Sequence, residues 1–143
     1  MIPNPSAPAS ADHLITLAVW PDPLVEQLGH GPLSRYIETC WAGTLGPTSL
    51  LIYRRVGAMA ELGLAGATID LVDLGVSLGI GEGTGRNSVI RRSIGRLVTF
   101  DVARWDDPTT LAVRRALWPL PERMARRLSL SARRYHDTYG HKP

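Results

Sequence analysis

The segment GIGEGTGRNSVIRR, which begins at Gly79, places four glycines within seven residues, a density that excludes a regular helix or strand there. Helical patterns stand on both sides of it. A helix over Leu71–Leu78 is predicted from a capping aspartate, Asp70, and from the glycine at its end. A second helix over Ser88–Phe100 is predicted with Asn87 or Ser88 as its N-cap. The centre of the chain is therefore a helix, a flexible loop and another helix.

The glycine loop does not have the spacing of a nucleotide-binding loop. A phosphate loop needs a glycine at its sixth position followed by lysine and a hydroxyl residue. Counting from Gly79 or Gly81, the sixth position is Thr84 or Arg86, and no lysine follows. The dinucleotide fingerprint fails at the same two positions, and a helix precedes the loop where both motifs require a strand. We therefore predict no nucleotide cofactor at this loop.

Charge divides the chain into two unlike halves. Residues 1–85 carry three basic and eight acidic residues, a net charge of −5, whereas residues 86–143 carry thirteen basic and five acidic residues, a net charge of +8. Together they give the net charge of +3. Asymmetry of this size predicts a surface in the second half that faces a polyanion, although a solvated basic face would give the same composition.

The predicted helix over Ser88–Phe100 has an apolar back and an arginine-bearing front. With Ile94 at the centre of a helical wheel, four side chains fall on its side: Ile90, Leu97, Val98 and Asp101. Arg92 and Arg96 point the opposite way with Thr99, Ser88 lies towards that side, and Arg91 lies on the flank. This helix can therefore pack on a core and present arginines outward.

The remaining patterns predict a mainly α-helical α+β fold with a small β-hairpin. A helix over residues 47–62 should bury a stripe of Leu50, Leu51, Val56, Met59 and Leu62. A short strand over residues 67–69 follows, and the strands Val102–Trp105 and Thr110–Leu117 form the hairpin. The order helix, strand, helix, helix, hairpin is that of a winged helix-turn-helix, in which the helix after the turn enters the major groove.

The segment from about Leu45 to Leu117 resembles winged-helix DNA-binding domains. More narrowly, the stretches LGPTSLLIYRR, GRNSVIRRSIGRL and LAVRRALWPLPERMARRL resemble stretches of small, largely uncharacterised actinobacterial winged-helix proteins. The resemblance implies a fold and DNA binding but brings no ligand and no operator sequence. The turn Gly79–Arg86 departs from the pattern because it is longer than the usual three or four residues.

We expect four regions along the chain. Residues 1–12 form a proline-containing disordered tail, and residues 13–45 form a helical extension with an extended start over His13–Trp20. Residues 46–118 form the winged helix-turn-helix, and residues 119–143 form a basic helical extension. Met124, Leu128 and Leu130 give this last region an apolar side that predicts a homodimer. Alternatively, its arginines grip flanking phosphates.

The expected function is non-catalytic binding of double-stranded DNA, as a transcription regulator. The alternatives are a winged-helix adaptor that docks on a protein, for example of the transcription machinery, and an RNA- or ribosome-associated factor. Asp106 and Asp107 at the hairpin tip should keep that tip away from phosphates. We assign base contacts to Arg92, Arg96 and Ser88, and phosphate contacts to Arg86, Asn87, Arg91, Arg104, Arg114 and Arg115.

No pattern in the sequence points to catalysis, a metal or a cofactor. Asp70 and Asp73 are read as a helix cap, because first-turn carboxylates satisfy free N–H groups. His136 and His141 lack the spacing of a helical metal pair, and Cys40, the single cysteine, is read as a core thiol. Without a secretory pattern or a long apolar run, the chain is expected to be cytoplasmic.

Overall fold

The computed structural model describes residues 12–142, which form an α+β fold of seven α-helices and a four-stranded mixed sheet. Of the predicted tail, residues 1–11 lie outside the described residues. The strands are β1 (Leu14–Trp20), β2 (Thr68–Asp70), β3 (Ala103–Asp107) and β4 (Thr110–Arg114); the helices are α1 (Pro23–Leu28), α2 (Ala42–Leu45), α3 (Pro47–Glu61), α4 (Leu71–Ser77), α5 (Val89–Thr99), α6 (Glu122–Ala125) and α7 (Leu130–Tyr139).

The sheet has the strand order β2-β1-β4-β3. Strands β3 and β4 form the predicted antiparallel hairpin, while β1 pairs antiparallel with β2 and parallel with β4. Leu17 lies opposite Leu111 and Val19 opposite Val113, so these residues share the face that packs on the helices. The extended segment predicted at His13–Trp20 is confirmed as a strand. Because β1 lies between β2 and β4, the extended start of the predicted N-terminal extension is part of the sheet.

Helix α3 crosses the core, and its N-cap is Gly46, in a left-handed conformation with φ of 83°. The predicted stripe is correct for Leu50 and Val56, which are buried, but Leu51 and Leu62 are exposed. The buried side of α3 includes Tyr53, Gly57 and Ala60 as well. The helix is therefore rotated about its axis relative to the predicted stripe, which leaves Leu51 and Leu62 outside the core. At Gly57 an added Cβ would lie 2.8 Å from Pro32 Cγ, so the close packing of α3 there requires glycine.

The predicted N-terminal helical extension is only partly regular. The structure has a π-helical turn over Ile37–Trp41, and α2 continues directly from it. The wider turn buries Ile37, Cys40 and Trp41 together, and the indole N–H of Trp41 donates to the carbonyl of Trp118 at 3.0 Å. Cys40 is thus a core thiol, and burial raises its pKa to about 11.

A buried cluster of hydrogen-bonded aromatic side chains holds α7 to the rest of the protein. The Tyr36 hydroxyl lies 2.7 Å from His136 Nδ1 and accepts a hydrogen bond from the Leu120 N–H at 2.9 Å. The His30 ring stacks on Tyr36, with ring centroids 3.9 Å apart, and its Nε2 lies 2.8 Å from the Gly140 carbonyl oxygen. Because His136 is only 3% exposed, this cluster fixes α7 through the interior of the protein.

The C-terminal region is divided into α6 and α7, and the Ser129 hydroxyl caps α7 by accepting from the Ala132 N–H. Met124 and Leu128, predicted to pair two copies, are half-buried against the protein's own core. Leu130 is exposed. The apolar side expected at a dimer interface is therefore covered largely within one chain. No helix within residues 12–142 is long and apolar enough to cross a bilayer.

Candidate nucleic-acid interface

The glycine loop and the cap at Ser88 set the start of α5. Gly79 and Gly81 take left-handed conformations, with φ of 74° and 92°, so the chain can turn sharply after α4. The Ser88 hydroxyl accepts from the Arg91 N–H at 3.3 Å and donates to the Gly85 carbonyl at 2.7 Å. Ser88, predicted to face bases, is thus engaged as an N-cap and does not present an unoccupied hydroxyl.

Helix α5 has the predicted division between an apolar and a cationic side. Ile90, Ile94 and Leu97 are buried in the core, whereas Arg92 and Arg96 are exposed on the other side. The prediction is wrong for Asp101, which was placed with the apolar side. This residue lies beyond the end of α5, is exposed and has a φ of 58°.

The two exposed arginines of α5 differ in how they are held. Arg96 donates from Nε and Nη2 to the Thr44 carbonyl, at 3.2 and 2.8 Å, and its guanidinium lies 5.5 Å from the centre of the Phe100 ring. Arg92 has no side-chain hydrogen bond or ion pair to any of residues 12–142. Arg96 therefore starts from a fixed position, and Arg92 keeps its full donor capacity.

The N-terminal end of α3 opens onto the same groove as these arginines. Pro47 and Thr48 line it together with Arg92 and Arg96. No side chain caps this end of α3, and the residue before Pro47 is a glycine. Its first N–H groups and the positive end of the helix dipole favour an anion in the groove. The sequence predicts where this helix starts but not that it lies beside α5, because that adjacency depends on tertiary packing.

Arg91 holds the glycine loop in place. It donates from Nε to the Thr84 carbonyl at 3.0 Å and from Nη2 to the Asp12 carbonyl at 2.6 Å. Its guanidinium also lies 5.9 Å from the centre of the Trp105 ring. Two of the three guanidinium nitrogens of Arg91 thus donate within the chain, and only Nη1 makes no hydrogen bond within residues 12–142.

Arg86 and Asn87 lie at the exposed end of the loop, immediately before the cap of α5. Neither side chain makes a hydrogen bond or an ion pair with another residue in the range 12–142. Arg86 lines a shallow cleft that also includes Trp105 and Pro108 of the hairpin. The end of the loop and the hairpin thus lie close together beside Gly95 of α5.

The hairpin carries both charges. Arg104 pairs with Asp106 at 3.1 Å, and its guanidinium lies 4.6 Å from the centre of the Trp20 ring. Asp107 accepts from the Thr109 N–H at 2.9 Å, and this backbone hydrogen bond lowers the pKa of its carboxyl group. The tip therefore keeps a negative charge, and Arg104 is partly neutralised by Asp106.

Arg114 and Arg115 do not fit the predicted phosphate-binding role. Arg114 pairs with Asp22 at 2.9 Å, donates from Nε to the Asp101 carbonyl, and stacks 3.7 Å from the centre of the Trp20 ring. Its side chain is only 12% exposed. Arg115 pairs with Glu26 at 2.8 Å. Both arginines join β4 to the start of α1, a structural role that the sequence could not reveal.

Four of the nine predicted residues are exposed and make no ion pair within residues 12–142: Arg86, Asn87, Arg92 and Arg96. Comparison of the chain with protein-family models, with curated proteins and with solved structures found no match.

Proposed function

We propose that residues 46–118 form a winged helix-turn-helix and that the protein binds double-stranded DNA, with α5 in the major groove. The order α3, β2, α4, α5, β3, β4 agrees with that architecture. Strand β1 is an addition to it, since β1 lies between β2 and β4. A helix that reads a DNA sequence is expected to serve in transcription regulation, and we propose that role for the protein.

The observation that carries this proposal is the exposed side of α5. Arg92 and Arg96 lie one helical turn apart, opposite the buried side chains, and within residues 12–142 only Arg96 of the two makes side-chain hydrogen bonds. Gly95 lies between them, and a Cβ added there would meet nothing within 4 Å. A duplex could therefore approach the backbone closely at this point, where arginine can pair with guanine edges or phosphates.

Phosphate contacts are assigned to the groups that border this side. Arg86 and Asn87 precede α5, and the uncapped N-terminal end of α3 lies across the groove. Helix N-termini bind phosphates through free N–H groups. Arg104 contributes weakly because Asp106 already pairs with it.

Binding is tested by titrating the full chain with random double-stranded DNA at several salt concentrations. We expect affinity to fall steeply with salt, since each neutralised phosphate releases counterions. Replacing Arg92 with Ala should reduce the salt slope by about one if it pairs with phosphate on random DNA, or cost about 1–3 kcal/mol at one base position of a selected site. Arg134→Ala removes the same charge from an exposed position on α7 and is the matched control.

Flat or absent binding, or equal losses for Arg92→Ala and Arg134→Ala, would contradict the proposal. Exposed leucines and an acidic hairpin tip would then favour the alternative, in which the protein docks on another protein. Leu62 and Leu64, after α3, are 76% and 48% exposed, and the hairpin tip is acidic. A pull-down with Leu62→Ser as the comparison variant would test that adaptor role.

A further inference from the structure

A cleft of about 540 Å³ lies between the end of α5, the α2 region and the segment that joins α6 to α7. Volumes of roughly 300–1,000 Å³ are typical of small-molecule sites. The cleft is separate from the groove between α3 and α5, but the two share Arg96 and Phe100.

The walls of this cleft combine three cations with apolar side chains. Arg96, Arg123 and Arg127 contribute the cations, and none of its lining residues is acidic. Phe100, Met124 and Leu128 are half-buried and contribute the apolar surface of the cleft. A ligand that fits these walls has an anionic group and an apolar body.

The positive charge in the cleft is not neutralised by neighbouring carboxylates. Arg126 and Arg133 both pair with Glu122, at 3.8 and 2.9 Å, and Arg133 also pairs with Asp137. By contrast, Arg123 and Arg127 have no ion pair with any residue between 12 and 142. The acidic side chains of this region are thus used by arginines outside the cleft, and the arginines inside it keep their charge for a ligand.

Arg96 is already positioned for such a ligand. Its bonds from Nε and Nη2 to the Thr44 carbonyl hold the guanidinium plane, while Nη1 makes no hydrogen bond within residues 12–142. A donor held in place before binding loses less conformational entropy when the ligand arrives.

We propose that this cleft binds a small amphipathic organic anion, with the acidic group at Arg123 and Arg127 and the apolar body on Phe100 and Met124. A duplex is a poor occupant because the cleft is concave and a phosphodiester would leave its apolar surface uncovered. The site does not depend on the proposed function, since it can bind its ligand whether or not the protein binds DNA.

Two dyes with the same ring system test the site in the full chain. Anilinonaphthalene sulfonate carries the anion, and phenylnaphthylamine lacks it. We expect saturable fluorescence with the sulfonate at one site per chain, and binding weaker by at least about tenfold for the neutral dye. The double variant Arg123→Ala/Arg127→Ala should lose at least about tenfold in affinity for the sulfonate.

The matched control is Arg126→Ala/Arg134→Ala, which removes two exposed arginines that do not line the cleft and should leave dye binding unchanged. Circular dichroism checks that both double variants are folded. The proposal would be overturned by absence of saturable binding, by equal affinity for the two dyes, or by equal losses in the two double variants. None of these readouts involves DNA, so failure here is separate from failure of the proposed DNA binding.

Discussion

Arg114 shows how a residue's surroundings decide its role. Three groups engage it at once: the Asp22 carboxylate, the Asp101 carbonyl and the Trp20 ring. The Asp22 carboxylate accepts hydrogen bonds from the Val25 N–H and from Arg114, and these lower its pKa. The Asp22–Arg114 pair therefore stays charged at neutral pH. A charge held this way connects β4 to the N-terminal segment and is not available to a phosphate.

Replacing Arg114 with Ala should therefore destabilise the protein and leave the salt dependence of DNA binding unchanged. The thermal midpoint, measured by circular dichroism, should fall by a few degrees, because Asp22 loses its partner and Trp20 loses its cover. Arg104→Ala, which removes a more exposed arginine over the same ring, should lower it less. A reduced salt slope with an unchanged midpoint would restore Arg114 to the phosphate contacts.

At the level of elements, α7 depends on groups that titrate. Burial lowers the pKa of His30 and of His136, so both stay neutral in the folded protein at pH values where the unfolded chain is already protonated. Around His136, the charges of His141 and Arg133 lower its pKa further, while Asp137 and Glu122 raise it. The net shift is downward, which links the docking of α7 to pH.

We expect the thermal midpoint to fall as the pH drops below 6.5, the ordinary pKa of histidine. Below that value the unfolded chain binds protons that the folded protein binds only at lower pH, so stability is complete above it and is lost on acidification. The variant His136→Gln can still form a hydrogen bond with the Tyr36 hydroxyl but cannot titrate, and its midpoint should depend less on pH. His13→Gln, outside the cluster, is the control; equal pH dependence in all three proteins would contradict the link.

The elements that could be predicted are those whose signals are local. Asp70 caps α4 as expected, and Ser88, one of the two predicted candidates, caps α5, because a cap needs only neighbouring N–H groups. The exposure of Leu51 was not predicted, because small buried residues of α3 form an apolar side that the leucine pattern does not reveal. The ion pairs of Arg114 and Arg115 were missed because their partners lie about ninety positions away, a separation no local pattern reports.

At the level of the whole molecule, Arg96 belongs to both proposed sites. An anion held at Arg123 and Arg127 would lie in the same cleft as the Arg96 guanidinium, which also borders the groove of α5, and would lower the positive potential there. If both proposals hold, anion and DNA oppose each other, and by linkage each weakens the other by the same factor.

Saturating anilinonaphthalene sulfonate should therefore raise the Kd for DNA, and DNA should raise the Kd for the dye. Fluorescence anisotropy of labelled DNA measures the first effect, and dye fluorescence measures the second. In the Arg123→Ala/Arg127→Ala variant, the dye should no longer affect DNA binding. Unchanged DNA affinity at saturating dye in the wild-type protein would show that the two sites are independent.

The central place of β1 has a consequence for how the chain is made. Thr16 of β1 lies opposite Thr110 of β4, so 110 − 16 = 94 residues of synthesis separate the two partners. Until β4 leaves the ribosome, β1 can pair only with the three-residue β2, and its other edge stays open beside Leu17 and Val19. Open strand edges are templates for pairing with another chain. The strand at the middle of the finished sheet is therefore, during synthesis, the one most exposed to the wrong partner.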